Sequence, residues 1–318
     1  MSRGPFFSGP TMSATSKPPI IPIRSSSEPP RVLTPDGDIF ARRAARFDAL
    51  ADGHALADWL RFLGVLSRAQ HEALHAFPVV PLPDAPALAR AAEHRMPPVP
   101  AQGWPRDPAW HETLRAIARA AHDAAPRQPI AARDAIGRIA TLPADAIEAL
   151  AERVLHTELH GEDSVLLPFV GAALQVAWTA LAQRLAGQVA ALDVPGVCPC
   201  CGFLPVASVV KTVGEVGNLR YLHCALCNTE WNLVRVKCAA CDSTAGISYR
   251  EIEGEGVRDA GAVRAETCDE CHSYLKIMAA DKGAVDPVAD DLATLALDIL
   301  VDEAGYARAG PNLLLVPG

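Results

Sequence analysis

The chain has 318 residues, 50% of them hydrophobic and 5% aromatic, with 37 acidic and 29 basic side chains and a formal charge of −8. This much apolar material can bury a sizeable core and excludes disorder throughout; few aromatics beside abundant alanine favour helices packed through small side chains. The negative balance argues against nucleic-acid and anionic-membrane partners.

Residues 1–36 are rich in Pro and Ser, densest at Ser25-Ser-Ser-Glu-Pro-Pro-Arg31, and read as a disordered extension in which Met12 is a second candidate start. The N-terminus has no secretory apolar region. A reducing, cytoplasmic compartment is therefore expected, where disulfides do not persist.

Residues 37–194 read as an all-α domain. Phe40, Ala44, Phe47 and Leu50 recur on one helical face, and Leu56, Leu60, Leu63, Leu66 and Leu74 mark a second helix. A proline-rich connection follows from Pro78 to Pro108, where Asp107-Pro108 supplies an N-cap and first helical residue for a helix carrying Leu114, Ile117 and Ala121. Another opens at Pro143, with Ile147, Leu150, Val154 and Leu155 inward. Val165–Ala182 holds no charge, but Pro168, Gln175 and Thr179 interrupt it and its length only just reaches that of a span. A buried central helix is expected there.

Helical period stops at Asp193-Val-Pro-Gly196, and residues 195–282 hold all nine cysteines. Short β-type runs at Val206–Val213, Leu219–Leu222, Trp231–Val236 and Ile247–Ile252 predict hairpins. In residues 283–318, Leu292, Leu295, Ile299 and Leu300 suggest one C-terminal helix before a tail. The expected fold class is α+β: an all-α domain, two tandem rubredoxin-like or zinc-ribbon units, and a terminal helix.

Eight cysteines form four Cys-x-x-Cys pairs: Cys198/Cys201, Cys224/Cys227, Cys238/Cys241 and Cys268/Cys271. A two-residue gap lets both sulfurs of a pair reach one ion, and four thiolates at about 2.3 Å complete a tetrahedron suited to Zn or Fe. Isolated pairs of this kind also occur as redox-active thiols, but no βαβ pattern surrounds these. Two metal ions, each held by four cysteines, are expected, with the first pair joined to the second and the third to the fourth in preference to an interleaved cross-brace. Cys200 is left over, either a resolving thiol or a small turn residue. From Cys198 to Lys282 there are nine Lys or Arg against eleven Asp or Glu, and a divalent ion with four thiolates adds further negative charge. This region does not suit a phosphate-binding surface.

A rival chemistry lies in His71-Glu72-Ala-Leu-His75, which matches His-Glu-x-x-His. Histidines one helical turn apart can hold zinc, with Glu72 as general base of a hydrolase. No strands are predicted nearby, and the third-ligand candidate Glu93 lies in the proline-rich connection, so solvent-edge histidines are the preferred reading. His156 and His160 are treated likewise.

Cys198-Pro-Cys-Cys-Gly-Phe-Leu-Pro205, Arg220-Tyr-Leu-His-Cys-Ala-Leu-Cys-Asn-Thr-Glu-Trp231, Lys237-Cys-Ala-Ala-Cys241 and Cys268-Asp-Glu-Cys-His-Ser-Tyr-Leu-Lys276 resemble the successive blocks of the FdhE family. Phe40-Ala-Arg-Arg-Ala-Ala-Arg-Phe47 and Ala172-Ala-Leu-Gln-Val-Ala-Trp178 are similar to segments of its helical half, so the likeness runs from about Ile39 to the C-terminal helix. Cys200 departs from it, standing where the family knuckle ordinarily carries another residue.

The resemblance implies a cytoplasmic accessory protein, not an enzyme, needed for active respiratory formate dehydrogenase and binding its catalytic subunit before twin-arginine export. It also implies iron in rubredoxin-like sites, with the eight paired cysteines as ligands and no catalytic residues. Exposed loops such as Asn228-Thr-Glu-Trp231 are candidate client contacts, Trp231 being equally readable as a hairpin core residue. A rubredoxin-type electron carrier is the alternative, and a zinc hydrolase using His71, Glu72 and His75 a further one.

Overall fold

A computed structural model describes residues 28–123, 130–252 and 262–315. The expectation of disorder for residues 1–27 lies outside them, but residues 28–36 correct it. Val32–Leu33 form a strand, β1, opposite Trp231 and Glu230; the Tyr221 hydroxyl donates to the Pro30 carbonyl at 2.7 Å. Strand pairing offsets the unfavourable local composition here.

The first two apolar repeats become α1 (Ile39–Ala51) and α2 (Ala57–Ala76), packed as a helical hairpin. The proline-rich connection contains a helix that periodicity did not reveal, α3 (Ala85–Glu93), because it buries no residue at all. Its signal was local: Asp84 accepts a hydrogen bond from the Ala87 amide at 2.8 Å, and proline stands in the first turn. Next come α4 (Ala109–Asp123), the unforeseen α5 (Ile130–Ile139), α6 (Ala144–Leu155), a 3₁₀ turn at Ser164–Leu166 and α7 (Leu167–Arg184).

α7 is long and apolar enough to cross a membrane, yet protein covers 89% of its most apolar window. Its two fully buried polar residues are satisfied there: Gln175 accepts from Gln70 at 2.9 Å, and the Thr179 hydroxyl accepts from Asn228 at 2.9 Å. Buried polar groups with partners cost little, so they are compatible with a core helix.

The remaining chain forms β2 (Pro205–Val213), β3 (Val216–Cys224), β4 (Glu230–Asn232), β5 (Ile247–Arg250), β6 (Val263–Cys268), β7 (Ser273–Ala279), α8 (Pro287–Leu292), α9 (Leu295–Glu303) and β8 (Ala307–Arg308). The strands lie in the order β1-β4-β3-β2-β7-β6-β5, with β8 beside β7. Parallel pairing of β2 with β7, Ser208 opposite Ile277, joins the two hairpins into one sheet instead of leaving tandem units apart. β6 and β7 were missing from the expected runs because β6 offers only Val263 and Ala265 as apolar positions and the buried Lys276 interrupts the apolar run of β7. Glu266 meets Arg220 at 2.6 Å, and Lys276 meets Asp298 at 2.7 Å.

The single expected C-terminal helix is two. Asp286 caps α8 by accepting from the Val288 and Ala289 amides, and the chain turns at Ala293–Thr294 before α9. The turn rotates Ile299 and Leu300 outward, 61% and 52% exposed, while Leu297 and Val301 face the core.

One hydrophobic cluster runs from α1, α2, α4, α6 and α7 into Cys198–Phe203, Leu226, Trp231, Met278 and Leu313. Gly171 of α7 admits the C-terminal segment: a Cβ there would lie 2.7 Å from the Leu313 carbonyl oxygen. Gly171→Ala is expected to lower stability by about 1–3 kcal/mol through overpacking, despite alanine's better helix propensity. Thermal unfolding checks this, and an unchanged or higher Tm would show that the segment yields freely.

Candidate metal centres

Each Cys-x-x-Cys pair sits on a tight turn, and in the second and third knuckles the turn's amides point at sulfur. The Leu226 and Cys227 amides donate to Cys224 Sγ at 3.4 Å, and those of Ala240 and Cys241 to Cys238 Sγ at 3.4 and 3.5 Å. The residue following each pair has positive φ: Gly202 (72°), Asn228 (58°), Asp242 (67°) and His272 (51°). Only glycine takes this conformation without steric cost, and Asn and Asp tolerate it best among the rest. Glycine at one of four knuckles therefore hid a conformational rule common to all.

The structure brings the eight cysteines together in two groups, Cys198, Cys201, Cys224, Cys227 and Cys238, Cys241, Cys268, Cys271, pairing first knuckle with second and third with fourth. Across the first group, Cys198 and Cys227 sulfurs are 3.4 Å apart and those of Cys201 and Cys224 3.5 Å; the corresponding gaps in the second are both 3.7 Å. A disulfide needs about 2.05 Å. A tetrahedron of 2.3 Å metal–sulfur bonds has edges of about 3.8 Å. Both donor sets thus fit one ion such as Zn or Fe each.

The surroundings of the two centres differ. All four cysteines of the first are buried, and burial pushes the Cys198 and Cys201 thiols well up. Converging thiolates need a cation to ionise there. In the second, Cys238 and Cys268 are buried while Cys241 is exposed and Cys271 half-buried.

The helical domain completes the first centre. Val99 and Ala101 amides donate to the Cys200 and Cys201 carbonyls at 3.2 and 2.7 Å, and Gln175 Nε2 donates to the Ala225 carbonyl at 2.8 Å. Asn228, the positive-φ residue of the second knuckle, carries a buried junction: its Oδ1 accepts from Arg43 at 2.7 Å, and its Nδ2 donates to Thr179. Arg43 in turn donates to Asp286 at 3.1 Å, linking α1, the knuckle and α8. His223 lies 3.1 Å from the same Asn228 oxygen. Against the upward pull of burial, His223 and Lys211 hold the Glu230 carboxyl down at about 2.

The loop Asn228–Trp231, expected as exposed client contact, is instead largely interior. Asn228, Thr229 and Trp231 are buried, and Trp231 Nε1 donates to the Pro195 carbonyl at 2.7 Å. Cys200 is buried against the first centre; the neighbouring Cys227 sulfur, then burial, pushes its thiol well up. That environment disfavours a reactive thiolate.

His71 and His75 occupy the last turns of α2, and Asp38, not Glu93, is the carboxylate that joins them. Neither Glu72 nor the His156/His160 pair belongs to a metal-capable group among the described residues. Sequence reasoning missed Asp38 because it precedes the histidines by more than thirty residues.

The difference in burial gives an ordered release. When the metal-loaded protein is challenged with a strong chelator, one equivalent is expected to leave at least about tenfold faster than the other, and Cys241→Ser to accelerate only that phase. Release of both equivalents in a single phase would contradict the asymmetry.

Comparison with known proteins matches three family models described as FdhE, N-terminal (residues 29–192), FdhE, central domain (197–235), and FdhE, C-terminal domain (236–315). A protein of Edwardsiella ictaluri named Protein FdhE homolog is 41% identical over 283 residues, 88% of this chain and 89% of that one. A Pseudomonas aeruginosa protein of the same name is 38% identical, over 91% and 94% of the two chains. The crystal structure of the FdhE protein from Pseudomonas aeruginosa superposes with a TM-score of 0.78 at 36% identity, covering 91% of this chain and all of the other. The chain belongs to the FdhE family.

Proposed function

We propose that this protein is an accessory factor in formate dehydrogenase maturation, acting in the cytoplasm by binding the catalytic subunit before export and catalysing no reaction of its own. Membership of the FdhE family is the observation that carries this reading. The build of the molecule supports it. One four-cysteine centre is enclosed and braced by the helical domain, as suits a structural role, and an apolar cleft of about 390 Å³ lined by Phe77, Trp104, Trp178 and Leu181 offers a surface for a polypeptide client.

Each four-cysteine group would hold one ion, either zinc, which would act structurally, or iron, which would add a one-electron couple. The residues themselves fix the sulfur positions, direct knuckle amides at them and limit water access at the first group. A rubredoxin-type electron carrier is the second reading, favoured by the exposed edge of the other group at Cys241. Electron exchange needs such an edge and no client.

Capture of the formate dehydrogenase catalytic subunit by the intact, anaerobically purified protein tests the proposal. Retention of the subunit is expected, with at least about tenfold loss in Cys224→Ala/Cys227→Ala, since metal-stapled folding would fail there. An intact, metal-loaded protein that captures no subunit would overturn the accessory role, and reversible reduction of bound iron by a redox partner would then favour the carrier.

A further inference from the structure

We propose that Asp38, His71 and His75 form a third metal site, separate from the cysteine centres, for a divalent transition ion of the Zn²⁺, Co²⁺ or Ni²⁺ class. Ligand-capable atoms of these three side chains lie within 4.8 Å of one another. They come from two elements: Asp38 immediately precedes α1, whereas the histidines stand one turn apart at the end of α2. Two imidazoles and a carboxylate are a donor set suited to these ions, and three protein ligands leave a position for water or an outside donor.

Five local features point the same way. His75 Nδ1 lies 3.0 Å from the His71 carbonyl. Donation to that carbonyl fixes the tautomer and leaves the Nε2 lone pair free, the arrangement seen in metal-ligating histidines. Nε2 faces Gly37, sitting 4.0 Å from where a Cβ would be. The Asp38 carboxylate makes no cap bond to its own helix, although that is the usual task of Asp at this position. His71 Nδ1 is buried and has no hydrogen-bond partner. Such an orphan atom in an imidazole ordinarily signals a missing partner. The carbonyl end of α2 adds a negative potential that favours a cation.

A bound ion would tie the segment leaving β1 to the end of α2, closing the α1–α2 hairpin at its open end. This is not the zinc-hydrolase arrangement considered for His-Glu-x-x-His, because Glu72 stays outside the group. Nor does it depend on the maturation role.

The test uses the full chain with its cysteine centres already loaded under anaerobic conditions. Added Co²⁺ is expected to bind one further equivalent with weak visible d–d bands and no thiolate-to-cobalt charge transfer. Added Zn²⁺, measured against a chromogenic competitor, is expected to bind likewise and to raise Tm. His75→Ala and Asp38→Asn, both at exposed positions, should each weaken this equivalent at least tenfold and abolish the Tm shift, while Glu72→Ala leaves both unchanged. Absence of a further equivalent, a charge-transfer band, or undiminished affinity in either ligand variant would overturn the site.

Discussion

The structure depends on the burial of one four-cysteine centre between α7 and the sheet. Its sulfurs converge in the interior, where like charges are tolerated only around a cation. The knuckle backbones around it would be costly to bury unpaired. The helical domain supplies the partners: Gln175 for Ala225, and the Val99–Ala101 strap for Cys200 and Cys201. Helices and first ribbon therefore share one core and are expected to be stable together.

Charge pairing extends this dependence outward. Arg43 reaches from α1 to Asn228 and Asp286, and Arg220 spans from β3 to Glu266 on β6 while donating to the Lys237 carbonyl at 2.9 Å. Buried pairs of this kind are weak sources of net stability but severe penalties when broken, so they fix which surfaces meet. The second centre lies at the far side of these links, with two cysteines reaching solvent. Solvent reaches these two, while the cysteines of the first are all buried.

The pairing within knuckles and the helices with a strong apolar stripe were legible in the sequence because they follow from residues a few positions apart, and the grouping of the eight cysteines into two metal-capable clusters followed from the order of the knuckles along the chain. α3 escaped because it buries nothing, β6 because only Val263 and Ala265 on it are apolar, and β7 because the buried Lys276 interrupts its apolar run. The fusion of two ribbons through β2 and β7, the interior position of Asn228–Trp231 and the approach of Asp38 to His71 and His75 depend on tertiary placement. No periodicity encodes them. Asn228 did leave a trace, since asparagine after a Cys-x-x-Cys occupies a place where glycine is the easier choice.

Hydrogen exchange on the α7 amides, compared between Cys224→Ala/Cys227→Ala and Cys268→Ala/Cys271→Ala, tests most directly whether the first centre organises the whole molecule. Loss of α7 protection in the first variant, with protection retained in the second, is expected. Equal protection of α7 in both variants would contradict a shared core built around the first centre.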